Sequence, residues 1–301
     1  MLLGGSIAGC TATNDDPSST SSDTLSTSTG NDETTSPRTT DEAVSRTQKP
    51  SPERPEELTR ETVVQYAKRS ETTYQYNSVL ETYGSDAANI QVDSFEMQTV
   101  SDQDGYYVLL GYTGFADYPD GLHVDLGSEV LYFVSQDGTK RVDVGLSAEI
   151  RNIDCEDAIT PADSDSGGPC DERSGDGVAY RVVNLDRDTH TIDVQVELLG
   201  TASGADSAGD DTITQTYQLN SDATIYQGTV AFVDGTYRLT ASIASDPDTT
   251  TTSEWEYQYP GRVRYTSTII VTPSGRILIT KPSHLLYSQK RSTSYCVSRI
   301  C

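Results

Sequence analysis

The sequence predicts an α+β N-terminal domain, in which one helix packs on a four-stranded antiparallel meander, followed by an all-β Greek-key sandwich. Three observations predict this fold class: one long segment with helical periodicity, strand-like runs separated by Asp-Gly pairs, and a second series of short alternating strands. A chain of 301 residues is long enough for two modest domains with linkers. We therefore assign the first domain to residues 53–150 and the second to residues 177–281.

The segment RPEELTRETVVQYAKRSETTYQYNSVLETYG, residues 54–84, predicts one helix. Thr59 is placed to cap it, Glu61 lies where the helix dipole favours a negative charge, and Gly84 is placed to end it. Roughly helical spacing predicts one apolar face, made of Val63, Ala67, Ser70, Tyr74, Tyr76, Val79, Leu80 and Tyr83. The tyrosines are either a binding stripe or part of the packing against a sheet, and packing is the commoner role.

Four strand-like runs follow the helix, at residues 90–100, 106–116, 122–134 and 141–150. The segments DQDG, YPDG and SQDG separate them, and each ends in the Asp-Gly pair that favours tight hairpins. The last run alternates cleanly and predicts one apolar face made of Val142, Val144, Leu146, Ala148 and Ile150. One helix followed by such a meander is similar in outline to cystatin-like and NTF2-like domains.

The NTF2-like resemblance implies where a catalytic site would lie in this domain. Enzymes with that fold usually place His, Asp or Tyr side chains between the helix and the sheet. Only His123 and the tyrosines are available here, and strand alternation puts His123 on the solvent face, opposite Leu122, Val124 and Leu126. We therefore predict no catalytic residue, and a surface enzyme with an NTF2-like pocket in the first domain remains the alternative.

Residues 151–176 are rich in Asp, Ser, Gly and Pro, which predicts an acidic interdomain loop. Within it, DSDSGG places Asp163 and Asp165 at the spacing of a calcium-binding loop. The further acidic ligands and the closing Glu of an EF-hand do not follow. A solvated loop is the preferred interpretation, and calcium remains an option.

A second set of alternating strands predicts the sandwich. The runs lie at 178–184, 189–199, 211–219, 224–233, 236–244, 253–258, 262–272 and 276–280. Alternation is clearest in two groups, Ile192, Val194, Val196 and Leu198, and Tyr237, Leu239, Ala241 and Ile243. Trp255, the single tryptophan, is expected to anchor the core or its rim.

The segment VVNLDRDTHTIDVQV resembles the stretch of blue-copper proteins in which an Asn-containing turn precedes a His ligand, here His190. That site also needs a Cys, a second His and commonly a Met near the C-terminus. After Cys170 the sequence offers only His284, Cys296 and Cys301, and no Met. The domain therefore resembles Ig-like or cupredoxin-like domains without a working copper site, and we expect His190 in a turn or at a strand start. A degenerate redox or solute-binding module is a second alternative.

The N-terminal residues Ile7-Ala8-Gly9-Cys10 resemble the lipobox of bacterial and archaeal lipoproteins. The resemblance implies that residues 1–10 are the remnant of a signal peptide and that Cys10 carries a lipid. Residues 11–40 hold seventeen Ser or Thr with a single large aliphatic residue, Leu25. Such a composition cannot bury enough apolar surface to fold, so residues 11–52 are predicted to be a disordered tether.

Five cysteines are an odd number for a secreted chain. If Cys10 is lipidated, four remain as two close pairs, Cys155 with Cys170 and Cys296 with Cys301, which we predict to form disulfides. A loop of about fifteen residues closed by a disulfide gains roughly 3 kcal/mol of stability in the chain-entropy model. Zinc would require C-x-x-C spacing with further Cys or His nearby, and neither pair has it.

The charge is strongly acidic, with 46 Asp and Glu against 21 Lys and Arg and a net charge of −25. Such a surface repels nucleic acid. Only five of the basic residues are lysines, which resembles the composition of proteins from salt-loving archaea. Residues 257–301 contain no carboxylate side chain, and residues 282–301 are predicted to be a basic tail. This end of the chain contacts either an anionic surface or the acidic residues elsewhere in its own chain, and we prefer the second interpretation.

These features together resemble haloarchaeal cell-surface lipoproteins of unassigned activity. They predict a protein held at the extracytoplasmic face of the cell membrane through Cys10, with a structural or binding role. A surface protein or a glycan is the expected partner. No catalytic, cofactor-binding or metal-binding residue is assigned from the sequence.

Overall fold

The computed structural model describes residues 46–145, 148–151, 157–159, 177–201, 211–257 and 264–285. The described residues form a mostly β fold with one helix and fourteen strands, so the prediction of an α+β part followed by a β-rich part is confirmed at this level. In chain order the elements are α1 (Arg60–Tyr83), β1 (Asn89–Ser101), β2 (Tyr106–Asp117), β3 (His123–Val134), β4 (Thr139–Asp143), β5 (Glu149–Arg151), β6 (Gly177–Asn184), β7 (His190–Thr201), β8 (Thr212–Leu219), β9 (Thr224–Ala231), β10 (Gly235–Ile243), β11 (Asp246–Tyr257), β12 (Arg264–Val271), β13 (Ile277–Ile279) and β14 (Ser283–Leu285).

Helix α1 begins and ends at the predicted residues. The Thr59 hydroxyl accepts from the backbone N–H of Thr62 at 3.2 Å, and the Thr62 hydroxyl accepts from the backbone N–H of Thr59 at 3.0 Å. This reciprocal capping satisfies two backbone donors. At the other end, Gly84 has a φ of 96° and its N–H donates to the carbonyl of Leu80 at 3.1 Å. That backbone conformation favours glycine.

The buried face of α1 agrees in part with the predicted one, because Val63, Ala67, Tyr76, Val79 and Leu80 are buried as predicted. Its members are Val63, Val64, Ala67, Glu71, Gln75, Tyr76, Val79 and Leu80. Tyr74 and Tyr83, which were predicted to pack against the sheet, are 50% and 45% exposed. The prediction was wrong for these two tyrosines because the stripe that faces the sheet includes two polar residues, Glu71 and Gln75, that break the apolar pattern.

Strands β1 to β4 form the meander, an antiparallel sheet with the order β1-β2-β3-β4. The hairpins at the Asp-Gly pairs are confirmed. Gly105 and Gly121 have φ values of 152° and 89°, a region in which a side chain is strained. One half of the face toward α1 builds a shared core with the helix, in which Val108, Leu110, Val130, Tyr132 and Val134 contact Val63, Val64 and Ala67.

The run predicted as one strand at 141–150 is two strands in different sheets. Strand β4 pairs with β3, whereas β5 pairs in parallel with β9 of the C-terminal region. Between them, a Cβ atom on Gly145 would lie 2.1 Å from the Ser128 hydroxyl and 3.0 Å from the backbone nitrogen of Glu129. The chain leaves the meander at this close contact, and Ile150, predicted to be buried, is 67% exposed.

Strands β5 to β14 form the C-terminal β region, which contains two sheets. One has the order β11-β10-β7-β8, and the other has the order β13-β12-β6-β9-β5 with β14 paired to β12. Most pairs are antiparallel, while β6 with β12 and β5 with β9 are parallel. The predicted alternation is confirmed, because Ile192, Val194, Val196, Leu198, Tyr237, Leu239, Ala241 and Ile243 are all buried. They share one apolar core with side chains of the second sheet, and Trp255 packs against it.

The meander and the C-terminal β region share a further apolar cluster. On the meander face opposite α1, Tyr107, Leu109, Leu131, Phe133, Val142 and Val144 contact Val183, Leu185 and Ile270. Beside this cluster, Arg181, only 1% exposed, forms an ion pair with Glu129. At one end of it, Arg276 Nη2 lies 2.5 Å from Asp102 Oδ2. This half of the meander is therefore covered on both faces.

Two segments predicted to lie outside the domains contribute to the C-terminal β region. Ile159, within the predicted interdomain loop, is 1% exposed and belongs to the apolar core between the two sheets. It also bridges in parallel to Ala231. Strand β14 lies within the predicted tail at 282–301, where alternation is lost in the sequence. Both segments are too short to show strand periodicity, so their pairing could not be predicted from the sequence pattern.

Candidate functional site

A groove of about 310 Å³ runs along the side of α1 next to β3. Its lining residues are Ser51, Pro52, Tyr66, Ser70, Thr73, Tyr74, Asn77, Ser78, Glu81 and Tyr132. The volume lies at the lower end of the range for small-molecule sites. A second depression, of about 330 Å³, lies at the ends of β7 and β10, where Gly200 and Gly235 take part in its lining. The first groove offers more side-chain groups for hydrogen bonding, so we take it as the candidate site.

One wall of the groove is an extended strap, residues 46–52, which lies against α1. The amide of Asn77 binds the backbone of Lys49 twice, accepting from its N–H at 2.8 Å and donating to its carbonyl at 2.9 Å. At the start of the strap, the Arg46 guanidinium donates to the carbonyls of Ala87, at 2.7 Å, and Ala88. These residues were predicted to be the end of the disordered tether, and the hydrogen bonds hold them in place instead.

A buried ionic network lies behind the groove. Glu71, with no exposed surface, accepts from Arg141 Nε at 2.7 Å and Nη2 at 2.9 Å, from the Tyr132 hydroxyl at 2.9 Å and from Gln75 Nε2 at 2.7 Å. The Arg141 guanidinium also lies 4.0 Å from the centroid of the Tyr74 ring. Two lining side chains, Tyr74 and Tyr132, are therefore oriented by contacts with residues outside the groove.

Two members of this network, Tyr132 and Arg141, have a fixed protonation state. Burial raises the pKa of Tyr132 well above its ordinary value, and the neighbouring charge of Glu71 raises it further. Burial alone would lower the pKa of Arg141, but its hydrogen bonds to Glu71 and the carboxylate charge raise it overall. Tyr132 thus stays a hydrogen-bond donor to Glu71, and Arg141 stays a cation, at any pH in the physiological range.

The groove also contains hydroxyls that have no hydrogen-bond partner among the described residues. The side chains of Ser70, Thr73 and Ser78 make no hydrogen bond to another residue in the described part of the chain. They lie on consecutive turns of one side of α1, and Tyr74 lies among them. A hydroxyl both donates and accepts, so this row can match either kind of polar group on a ligand.

His123 is exposed, as predicted, and is not part of the groove. Its Nδ1 lies 2.6 Å from Asp117 Oδ1 and its Nε2 lies 3.1 Å from Asp125 Oδ1, while its ring stacks on Phe115. Hydrogen bonds to these two carboxylates, Asp117 first, raise the pKa of His123. The structure thus brings His123 together with two aspartates on the sheet surface, away from the residues that line the groove.

His190 is the first residue of β7, as predicted. Its Nε2 lies 2.7 Å from Asp186 Oδ2, and both side chains are largely buried. The other histidine considered as a copper ligand, His284, lies in β14, whereas β7 belongs to the opposite sheet. Among the described residues, no group of three or more His, Cys, Asp or Glu side chains is placed to hold a metal ion.

Several predicted residues lie outside the described part of the chain. They are the lipidation site Cys10, the disulfide candidates Cys155, Cys170, Cys296 and Cys301, and the calcium candidates Asp163 and Asp165. Their assignments remain predictions. No helix within the described residues is both long and apolar enough to span a bilayer.

The groove was missed by sequence reasoning, although one of its tyrosines, Tyr74, had been considered as part of a binding stripe. Its walls come from the strap, α1 and Tyr132 of β3, which are distant in sequence. The one signal that could have corrected the prediction was the polar pair Glu71 and Gln75. Had both been placed on the buried face of the helix, Tyr74 would have been predicted to be exposed. Comparison of the chain with protein-family models, with curated proteins and with solved structures gave no match.

Proposed function

We propose that this chain is a lipid-anchored extracytoplasmic protein of a halophilic archaeon, with a binding role at the cell surface and its ligand site in the groove beside α1. The observation that supports the binding role is the row of unused hydroxyls next to a half-exposed tyrosine, Tyr74. The resemblance of Ile7-Ala8-Gly9-Cys10 to a lipobox supports the anchor. The net charge of −25 and the five lysines support the halophilic origin.

The proposal includes a finer description of the fold. The element order of α1 and the meander supports a cystatin-like or NTF2-like outline for residues 53–150. The two sheets that share a core support a Greek-key β-sandwich of the Ig-like or cupredoxin-like type for residues 177–281. Disulfides at Cys155–Cys170 and Cys296–Cys301 remain part of the proposal, and their support is the pairing of the cysteines in the sequence.

A surface enzyme with a pocket beside the helix is the alternative function. The groove does lie at the junction of α1 and the meander, which favours this alternative. General acid–base catalysis needs titratable groups at the substrate. Glu81 is the one carboxylate among the described lining residues, and Glu71 is occupied by Arg141. The chemistry of the groove therefore fits binding better than hydrolysis.

The mass of the N-terminal peptide tests the anchor. The protein is purified from native membranes, digested, and its N-terminal peptide measured by mass spectrometry. We expect a peptide that begins at Cys10 and carries the added mass of a lipid. A Cys10→Ser variant should be found in the medium, whereas Ser6→Ala should remain on the membrane. An unmodified peptide that runs through Cys10 would overturn the proposal of a lipid anchor.

A further inference from the structure

The charges of the groove restrict its ligand. Glu81 is the only charged side chain among the described lining residues, in a chain whose net charge is −25. A phosphate or carboxylate ligand would need Arg or Lys to pair with it. A divalent cation such as calcium would need several carboxylate or carbonyl oxygens. The groove thus favours a ligand without net charge.

The hydroxyl row indicates a ligand rich in polar groups. Ser70, Thr73 and Ser78 can each donate and accept one or more hydrogen bonds, and none is used within the described residues. At 1.5 Å of rise per residue, Ser70 and Ser78 are separated by roughly 12 Å along the helix axis. This length accommodates two linked sugar rings, whose hydroxyls alternate around an apolar ring face.

Tyr74 supplies a surface for that apolar face. Its side chain is 50% exposed within the groove, and the Arg141 guanidinium lies 4.0 Å from its ring centroid. Arg141 is itself held by the buried Glu71 through two hydrogen bonds. The ring is therefore held in one orientation before a ligand arrives, which reduces the entropy lost on binding.

We propose that the groove binds a neutral saccharide of at least two rings, which stacks on Tyr74 and hydrogen-bonds to Ser70, Thr73 and Ser78. This inference rests on the proposed binding role of the groove. Stacking and hydrogen bonds between neutral groups persist in molar salt, whereas attraction between exposed charges is screened within about 3 Å. The groove can therefore bind a saccharide in molar salt, the medium for which the acidic surface is suited.

Titration with three neutral trisaccharides tests the proposal. Maltotriose, cellotriose and chitotriose are each titrated into the full chain in molar KCl, with isothermal titration calorimetry as the readout. We expect at least one to bind with a dissociation constant in the millimolar range or tighter. Tyr74→Ala should weaken that binding about tenfold, because an aromatic stacking contact is lost. Tyr83→Ala, which removes an equally exposed tyrosine of α1 outside the groove, should change it less than twofold.

A second variant tests the same groove independently, in case Tyr74→Ala loses binding through a folding defect. Ser70→Leu fills the groove from the surface of the helix and should abolish binding while the far-ultraviolet circular dichroism stays unchanged. The proposal is overturned if none of the three trisaccharides binds, if Ser70→Leu binds normally, or if Tyr83→Ala weakens binding as much as Tyr74→Ala. If Cys10 is lipidated in the same preparation, the proposal of a lipid anchor is retained and only the proposal of a saccharide ligand is rejected.

Discussion

The ion pair between Glu71 and Arg141 should be the most sensitive charged contact of the α+β part. Among the described residues, Arg141 is the one cation that pairs with the fully buried carboxylate of Glu71, and Arg141→Met removes it. The carboxylate keeps two neutral donors, Tyr132 and Gln75, but its charge stays buried. Breaking a buried pair in this way costs about 3 to 5 kcal/mol of unfolding free energy. At about 2 to 4 °C for each kcal/mol, the melting temperature should fall by about 6 to 20 °C.

An exposed arginine on the C-terminal β region provides the matched control. Arg238 is 39% exposed and pairs with Glu254 at 2.7 Å and with Glu197 at 3.2 Å. Because both partners remain solvated when the guanidinium is lost, Arg238→Met should be far less destabilising than Arg141→Met. Urea unfolding in molar KCl measures both variants, since urea is uncharged and leaves the ionic strength unchanged.

The double variant separates the charge from the side-chain volume. Glu71→Leu combined with Arg141→Met replaces both ions by apolar groups, which is often nearly neutral for stability. It leaves Tyr132 and Gln75 without their acceptor, so we expect a net loss of about 2 kcal/mol, smaller than that of Arg141→Met alone. If Arg141→Met is no more destabilising than Arg238→Met, the network is not an energetic centre of the fold and the reasoning fails.

Three further predictions concern salt, pH and the crossing between sheets. The melting temperature should rise from millimolar to molar KCl, because screening weakens the repulsion among 46 carboxylates, and a flat profile would refute this. Proton NMR should show that the pKa of His123 is raised and that it returns toward the ordinary value in Asp117→Asn. The stability that this contact adds is present below the pKa of His123 in the unfolded chain, about 6.5, and is lost as the pH rises through its pKa in the folded protein. An unfolding free energy that is the same in these two pH ranges would contradict the prediction. Gly145→Ala should destabilise the fold by about 1 to 3 kcal/mol, because the added Cβ would lie 2.1 Å from the Ser128 hydroxyl. Gly138→Ala is the control and should be neutral, because its Cβ has no atom within 4 Å. Equal urea midpoints for the two variants would show that the crossing tolerates a side chain.

The parts of the fold that sequence predicted well depend on local chemistry. The caps of α1 at Thr59 and Gly84 are set by residues within one turn of each helix end. The hairpins follow from Asp-Gly pairs, and the buried face of β7 follows from strict alternation. In each case the deciding contacts lie a few residues apart, so a short window of sequence contains all the information required.

The errors arose where distant contacts override a local pattern. The buried stripe of α1 contains Glu71, whose partner Arg141 is 70 residues away, so a search for apolar spacing missed it and included the exposed Tyr74 and Tyr83 instead. The run at 141–150 alternates without interruption in the sequence, although only Val142 and Val144 belong to an apolar core and β5 is exposed, so the crossing at the close contact of Gly145 leaves no sign in the pattern. The groove is connected with the first of these effects, since Glu71 and Gln75 are buried on α1 while Tyr74 is exposed and lines the groove.

The covering of the meander explains why a ligand site would lie beside α1. One face of the meander packs on the helix, and half of the opposite face is closed by Val183, Leu185 and Ile270 of the C-terminal β region. The strap then adds a wall to the other side of the helix, and two hydrogen bonds between Asn77 and Lys49 hold it there. Asn77→Ala should therefore weaken trisaccharide binding, and unchanged binding in that variant would show that the strap is only a linker.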